Sequence, residues 1–345
     1  MKKTLLSLAA LTSISLALTS CGGGTPTPPP VVDTTAPGVV SVTPSSGATG
    51  VSKDANVVVT FSEPMNQASA QAAFQSASLG TNTITWNANG TVMTVNPNAD
   101  LEYTSSGKTY TFSVTTTATD KAGNVLSSAS DGSFKTFKRI TTNVLNKAST
   151  NAEINNTNTV SGATADIQVG DAANNSSKRG FVGFDLSTLP ADLVPANIES
   201  ARVKMYVEAI VGQPFTQLFP PSNCSGGFCF LLGKSVVLEH VSYGNTVAAS
   251  AYDITPLSSE VRGLSDDTPC GGLLLCLFSG TVQGWNSDNV TAWVKDDVQN
   301  RVARGNNSQY RLKFPIATNG DNSVDRIEVK TDASKPFIQV TYLIP

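Results

Sequence analysis

Short runs in which apolar and polar residues alternate fill most of the chain from residue 36 onward, and turn-forming residues separate the runs. Val57, Val59 and Phe61 share one apolar face, and a period of two is typical of a half-buried strand. The Asn89-Gly90 pair predicts a hairpin turn, because both residues tolerate positive φ. This pattern predicts a chain built of short strands.

The same alternation continues in the second half of the chain. Inward-facing positions are predicted in three strands: Ala201, Val203, Met205 and Val207; Tyr310, Leu312 and Phe314; Ile338, Val340 and Tyr342. Arg311 and Lys313 face away from their apolar neighbours. The whole pattern predicts an all-β fold of two successive units.

One segment has helical periodicity instead. Apolar residues recur at i, i+3, i+4, i+8 and i+12: Val290, Trp293, Val294, Val298 and Val302. Asp288 or Asn289 can cap the start, and Gly305 suits the end. This spacing predicts one short helix with Trp293 in the core.

The first 21 residues follow an export pattern. Lys2 and Lys3 precede the apolar stretch Leu5–Leu18, which is short for a membrane span. Leu18-Thr19-Ser20-Cys21 resembles the lipobox of bacterial lipoproteins, which implies cleavage after residue 20 and lipidation of Cys21. We therefore expect residues 1–20 to be a lipoprotein signal peptide and the membrane to be a partner through the lipid.

A Gly- and Pro-rich stretch, residues 21–35, follows and is predicted to be a tether. The protein is accordingly predicted to be extracytoplasmic and lipid-anchored in the cell envelope, at an outer membrane or the cell surface.

Charged residues make up 14% of the chain, its net charge is −3, and it has no basic cluster. These features argue against a nucleic-acid partner.

Four further cysteines, Cys224, Cys229, Cys270 and Cys276, predict two disulfides in an exported chain. Three pairings are open, with local pairing slightly favoured. Their spacing differs from that of zinc knuckles, and the single histidine, His240, lies apart from them.

Three motifs stand out between residues 36 and 137: Phe61-Ser62-Glu63-Pro64-Met65, Thr109-Tyr110-Thr111-Phe112 and Ala118–Asn124. Through these motifs, residues 36–137 resemble the bacterial Ig-like domain of repeated surface proteins. The resemblance implies an Ig-like β-sandwich with a spacer or adhesive role and no shared catalytic site. Glu63 is interpreted as a packing or strand-end residue.

Residues 138–345 resemble DNRLRE-type domains through Gly180–Pro190, Ile198–Val207 and Asn289–Val294. The resemblance implies a β-jelly roll related to carbohydrate-binding modules, some of which bind alginate-like polysaccharides. Two Cys-bearing segments, 215–233 and 268–280, depart from the pattern as insertions. We expect them to pack on each other, with an exposed apolar ridge as the alternative.

Catalytic chemistry finds little support in the sequence. His240 lies in an alternating strand without a G-x-S-x-G elbow, and no phosphate-binding glycine loop is present. The pairs Asp266-Asp267 and Asp296-Asp297 are interpreted as surface turns or a helix face. We predict a non-enzymatic protein with no catalytic residues.

No cofactor and no transition-metal site are predicted, but a structural calcium ion is left open. Oxygen-bearing residues lie in or beside turns, although without EF-hand spacing: Asp166, Asp171, Asp185, Asp321, Asn322 and Asp325.

Trp285 and Tyr243 are the candidate ligand-binding residues, because neither belongs to a clear core alternation and aromatic planes stack on sugar rings. The predicted function is binding or adhesion to polysaccharide or another envelope or surface component through the C-terminal jelly roll. The alternatives are a purely structural spacer or assembly lipoprotein and, less favoured, a polysaccharide-active enzyme.

Overall fold

The computed structural model describes residues 32–162, 166–219, 234–267, 280–332 and 334–345. Within these ranges the chain is mostly β, as the alternating pattern predicts. All five cysteines fall outside them, so the lipidated Cys21 and the two disulfides stay predictions. The same holds for most of the two Cys-bearing insertions.

Two four-stranded sheets form the first unit. One has the order β1-β3-β6-β5, built from β1 (Val39–Thr43), β3 (Val57–Phe61), β6 (Val92–Pro97) and β5 (Asn82–Trp86). The other has the order β2-β8-β7-β4, built from β2 (Ala48–Val51), β8 (Ser130–Thr136), β7 (Thr109–Val114) and β4 (Phe74–Gln75). One helix, α1 (Gln67–Ala73), lies between β3 and β4 in the chain.

The inward faces of these two sheets form one core. Val57, Val59 and Phe61 are buried, as their alternation predicts. The hairpin between β5 and β6 turns at the predicted place, and Gly90 adopts a φ of 71° there. A positive φ is open to glycine at no steric cost.

The remaining strands lie between residues 138 and 344 and are hydrogen-bonded into one network. They are β9 (Lys138–Leu145), β10 (Ala152–Asn155), β11 (Val160–Gly162), β12 (Ile167–Ala172), β13 (Ser176–Asp185), β14 (Ile198–Val211), β15 (Val236–Val241), β16 (Arg262–Asp266), β17 (Gly284–Asn289), β18 (Asn307–Lys313), β19 (Asp325–Val329) and β20 (Phe337–Ile344). In the described parts of this unit, two α-helices accompany the strands, α2 (Pro214–Gln217) and α3 (Thr291–Gln299).

Eight of these strands close a ring. Following the hydrogen-bonded neighbours gives β14-β17-β16-β15-β18-β13-β12-β19 and then β14 again. The long strand β14 also pairs with β20, which in turn pairs with β9. Each of the eight ring strands is hydrogen-bonded on both sides, which protects it from edge-to-edge pairing with another chain.

The ring encloses the larger hydrophobic core, to which the inward faces of β14, β18 and β20 contribute. On β18, Arg311 faces away from this core yet is also buried. Its guanidinium donates to the carbonyls of Tyr252 and Ile254, each at 2.9 Å, and pairs with Glu239. The segment after β15 therefore covers this part of the outer face.

The predicted helix is present but shorter than its apolar spacing suggests. Trp293 is only 2% exposed and belongs to the core, as predicted. Val302 is 91% exposed and lies beyond the end of α3, so the predicted helix does not extend to it. The helix ends at Asn300, where the backbone leaves helical geometry (φ −107°, ψ 17°) and the side-chain amide donates to the Asp296 carbonyl at 2.9 Å.

Within the described residues, no helix has the length and the apolar character needed to cross a membrane. Of the apolar residues in the first Cys-bearing segment, Phe215 and Phe219 pack against the core of the closed ring. The remaining part of that segment, residues 220–233, lies outside the described ranges.

Candidate functional site

A groove lies on the outer face of the sheet formed by β17, β14 and β20. Its volume is about 530 Å³, and we call it the Trp285 groove. Its lining residues come from four strands and their loops: Lys204, Asp266, Asp267, Val282, Gln283, Gly284, Trp285 and Phe337. The alternation on β14 explains the composition, because its apolar side chains face the core and its polar and aromatic side chains face outward.

Three aromatic rings meet at the edge of the groove, and two of them, Trp285 and Phe337, line it. Trp285 lies directly opposite Tyr206 in the β14–β17 ladder, and the two rings meet edge-on with centroids 5.4 Å apart. Phe337, at the start of β20, approaches the indole at 5.5 Å, also edge-on. Edge-to-face contacts at this distance are favourable and hold the rings in fixed orientations.

Trp285 itself is only partly buried. Among the described residues, no group hydrogen-bonds its indole N–H. By contrast, Trp293 is enclosed by the core. Trp285 therefore presents a fixed aromatic surface and an available donor to whatever enters the groove.

Asn286 positions the tryptophan from beneath. Its side chain is fully buried, and its amide donates to the Val282 carbonyl at 2.7 Å and the Gly284 carbonyl at 3.0 Å. Its Oδ1 accepts from the Val282 N–H at 2.9 Å. These three bonds fix the loop that enters β17 just before Trp285.

Cationic side chains border the aromatic cluster. The Lys335 ammonium lies 4.1 Å from the Tyr206 ring centroid and 5.5 Å from that of Trp285. Lys204 pairs with Asp267 at 2.7 Å, and Arg202 donates to the Ser287 hydroxyl. The groove therefore combines aromatic surface with charged hydrogen-bond donors.

The Asp267 carboxylate holds two of these cationic side chains in place, since it pairs with Lys204 and lies 3.8 Å from Arg202. Burial opposes its ionisation, but hydrogen bonds from Lys204 and Ser287 and the charges of Lys204 and Arg202 outweigh burial and lower the pKa of the Asp267 carboxyl. The carboxylate thus stays charged at neutral pH and keeps Lys204 directed into the groove.

Tyr243 lies elsewhere, on the segment after β15. Its ring packs edge-on against Phe181 at 5.5 Å, and its hydroxyl donates to the Thr150 carbonyl at 2.8 Å. Burial raises the pKa of the Tyr243 hydroxyl well above its usual value. The structure does not bring Tyr243 and Trp285 together, and the ligand role of each stays a prediction.

The single histidine belongs to a buried polar cluster under α3. His240 is 1% exposed, and its Nε2 lies 2.9 Å from Asp297 Oδ1. The Ser308 hydroxyl donates to the other oxygen of Asp297 at 2.6 Å. Nucleophilic catalysis requires the serine to bond the imidazole. Here serine and histidine instead share one carboxylate, which suits a network that ties α3 to β15 and β18.

Among the described residues, two groups of three side chains bring possible metal-ligand atoms within 4.8 Å of one another, and neither makes a convincing metal site. In the first, His240, Asp296 and Asp297 converge, but the Arg304 guanidinium lies 2.7 Å from Asp296 and 2.6 Å from Asp297. That guanidinium fills the position a metal cation would take.

The second group is in the Ig-like unit, where Glu63 converges with Asp33 and Asp120. Partial burial, together with the charges of Asp33 and Asp120, raises the pKa of Glu63. Asp120 is already engaged by the backbone and side chain of Asn124 in the predicted turn.

Comparisons with known proteins bear on the first unit. Residues 33–136 match the family described as bacterial Ig-like domain. This agrees with the resemblance seen in the sequence. The match covers less than half of the chain, and no curated protein matches it.

Solved structures give only distant likenesses. The N-terminal part of the bacterial S-layer protein SbsC is 19% identical at a TM-score of 0.23, covering 44% of this chain. An L,D-transpeptidase from Mycobacterium smegmatis is 18% identical at a TM-score of 0.23, covering 55% of this chain and 70% of its own. The chain spans 40% of the S-layer structure's length. At these scores neither likeness carries an argument about function.

Sequence reasoning found Trp285 but missed its surroundings. Tyr206 lies between the inward-facing Met205 and Val207, and the sequence assigns no role to it, to Lys335 or to Asn286. The pairing of Tyr206 with Trp285 depends on strand register, which a single sequence does not specify. One feature of the sequence could have indicated this contact: Tyr206 is a large aromatic residue on the face of β14 that is otherwise polar.

Proposed function

We propose that this protein is a cell-envelope protein, held by a lipid on Cys21, that binds polysaccharide through the Trp285 groove. The observation that carries the proposal is the partly exposed Trp285 indole. It is fixed by Tyr206, Phe337 and Asn286 and has an available N–H donor. The Ig-like unit and the tether then separate the binding unit from the membrane.

The groove suits the chemistry of a sugar chain. A pyranose ring has an apolar C–H face that stacks on an aromatic plane, and its hydroxyls need directed polar partners. Trp285 supplies the plane, Lys204 supplies a donor in the groove, and the Lys335 ammonium lies beside it, 5.5 Å from the indole centroid. Because these donors are cationic, the groove favours polysaccharides that carry carboxylates or other anionic groups.

Envelope localisation rests on the leader and on the Ig-like match. Bacterial Ig-like domains occur in surface proteins, and the lipobox-like Leu18-Thr19-Ser20-Cys21 supplies an anchor. One acyl chain gives only marginal membrane binding, whereas a multiply acylated cysteine anchors stably.

A purely structural spacer is the second candidate, and the junction between the two units favours it. Strand β8 ends at Thr136 and β9 begins at Lys138, so a single residue separates the sheets. Arg139 forms a two-pronged ion pair with Glu199 at 2.6 and 2.7 Å, and its backbone N–H donates to the Thr104 carbonyl. A short, bonded junction transmits force, which a spacer needs.

Retention of the purified chain on a panel of immobilised neutral and anionic polysaccharides separates the candidates. We expect retention on at least one anionic polysaccharide and loss of that retention in Trp285→Ala. The control is Val302→Ala, which removes an exposed apolar side chain outside the groove.

Absence of retention across the panel would leave the spacer candidate. Hydrolysis or elimination products released in the same incubations would instead assign an enzyme.

A further inference from the structure

The outer face that carries the Trp285 groove continues along β14. Going from Tyr206 toward the start of this strand, the next outward residues are Lys204 and Arg202. Arg202 is four residues from Tyr206, and a strand rises about 3.3 Å per residue, so the two lie about 13 Å apart along β14. The outward face therefore extends well beyond the aromatic rings of the groove.

One hydrogen-bonded network joins the groove to Arg202. The Asp267 carboxylate accepts from Lys204 at 2.7 Å through one oxygen and from the Ser287 hydroxyl at 2.5 Å through the other. The Arg202 Nη2 group donates to the same hydroxyl at 2.5 Å. Two cationic side chains thus share one carboxylate, so these four side chains together keep a net positive charge.

Arg202 is held at one end of its guanidinium and open at the other. Its side chain is 50% exposed, and its Nη2 lies 3.8 Å from the Asp267 carboxylate. Among the described residues, no acceptor hydrogen-bonds its Nε or its Nη1. A guanidinium presents its donors in a planar fork that matches the geometry of carboxylates and related anions. Arg202 is therefore an ordered cationic donor with unused N–H groups.

A neutral hydrogen-bonding group lies beside Arg202 on the neighbouring strand. Gln339 is the direct partner of Arg202 in the β14–β20 ladder, so the two side chains stand on the same face. Gln339 is half-buried, and within the described ranges nothing hydrogen-bonds its side-chain amide. A free amide has both a donor and an acceptor for a hydroxyl group. Arg202 and Gln339 together therefore suit a sugar unit that carries an anionic group.

We propose that the polysaccharide in the Trp285 groove extends along β14 to a second subsite, formed by Arg202 and Gln339, where Arg202 binds a carboxylate or sulfate group. This inference rests on the proposed function, because the Trp285 groove supplies the first contact. Charge complementarity and the continuous network through Asp267 support it. The subsites lie about 13 Å apart, so a single sugar unit occupies only one of them.

Affinity electrophoresis of the full chain in gels that contain linear polysaccharides tests the second subsite. Polygalacturonate carries a carboxylate on each sugar unit, and cellulose sulfate carries sulfate groups instead. Fully methyl-esterified polygalacturonate keeps the first backbone without its charge. We expect stronger retardation by polygalacturonate or cellulose sulfate than by the esterified chain, and the more effective of the two identifies the anionic group.

Arg202→Gln should lower the affinity for that anionic chain about three- to fivefold at low salt, which corresponds to one exposed ion pair. The loss should shrink at high ionic strength, because salt screens exposed charges. Gln339→Ala should lower the affinity about twofold, as expected for one neutral hydrogen bond, and this loss should not depend on salt. Both variants should melt within a few degrees of wild type.

The matched control is Lys135→Gln, which removes the same charge from an exposed position on β8 and should bind as wild type does. Binding that Trp285→Ala abolishes and Arg202→Gln leaves unchanged would overturn the second subsite and keep the proposed function. Retardation by neither anionic chain would also overturn the second subsite, and the wider polysaccharide panel then decides the proposed function by itself.

Discussion

Trp285 and Tyr206 face each other across the β14–β17 ladder, and their rings meet edge-on with centroids 5.4 Å apart. The contact lies on the outer face of a closed ring whose interior is already filled by apolar side chains. These two rings are therefore not required to complete the core. They leave the Trp285 indole partly exposed, with the Lys335 ammonium beside both rings, and this is the surface on which the proposed ligand would stack.

The loop under Trp285 should be essential for binding. Asn286→Ala removes three hydrogen bonds and leaves the Val282 and Gly284 carbonyls without their amide donor. We expect a loss of about 2–3 kcal/mol in the free energy of unfolding, together with weaker polysaccharide retention. Urea unfolding and affinity electrophoresis measure the two effects. Asn143→Ala, which changes an exposed asparagine on β9, should alter neither.

The free energy of unfolding should decrease as the pH is lowered, because Glu239 becomes protonated and loses its ion pairs. Burial works against its ionisation, but hydrogen bonds and charge from Lys313 and Arg311 outweigh burial and lower the pKa of Glu239 in the folded state. Because the folded pKa lies below the unfolded one, the ion pairs stabilise the protein fully above about pH 4.5. That contribution is lost as the pH falls through the folded value.

Urea unfolding of wild type and Glu239→Gln checks this sign. At pH 7 the variant should be about 3–5 kcal/mol less stable, because it leaves buried cations unpaired. The difference should narrow at pH 3.5. Glu208→Gln breaks the exposed pair with Lys330 and should cost less than about 1 kcal/mol. A constant difference across this range would contradict the assignment to Glu239.

The buried cluster under α3 should matter for stability and not for binding. Asp297→Asn weakens bonds to His240, Ser308 and Arg304 at once. We expect a cost of about 3–5 kcal/mol, as for a broken buried ion pair. Calorimetry should show the lower melting temperature, and retention below that temperature should stay unchanged. Loss of retention with an unchanged melting temperature would assign this cluster a functional role instead.

The anchor can be tested independently of either fold. Cys21→Ser removes the thiol that the lipid requires, so the protein should leave the membrane fraction while both units stay folded. Fractionation and circular dichroism of the released protein measure these outcomes. Unchanged membrane association of the variant would mean that something other than a lipid on Cys21 holds the chain.

The strands were predictable because burial imposes a period of two on the sequence. Val57, Val59 and Phe61 show this clearly, and so does β14. The end of α3 was not predictable in this way. Val302 continues the helical spacing, but the backbone leaves helical geometry at Asn300, so Val302 lies beyond the helix and is exposed.

Contacts that depend on which residues face each other in paired strands could not be predicted from the sequence alone. Asp171 and Asp325 are 154 residues apart in the chain and meet only because β12 pairs with β19. Both were identified as oxygen-bearing residues near turns, but nothing local indicated that they face each other. Trp285 was found as a candidate by exclusion from the core pattern, while its partner Tyr206 follows from the β14–β17 pairing.

The most direct test is the binding of the full chain to whichever polysaccharide retains it, followed by affinity electrophoresis across a concentration series. Wild type should be retarded in proportion to polysaccharide concentration, and Trp285→Ala should lose at least tenfold in affinity, because stacking on one aromatic ring is worth about 1.5 kcal/mol or more. Its melting temperature should stay within a few degrees of wild type, and Val302→Ala should bind as wild type does. Equal retardation of wild type and Trp285→Ala would contradict the Trp285 groove as the binding site.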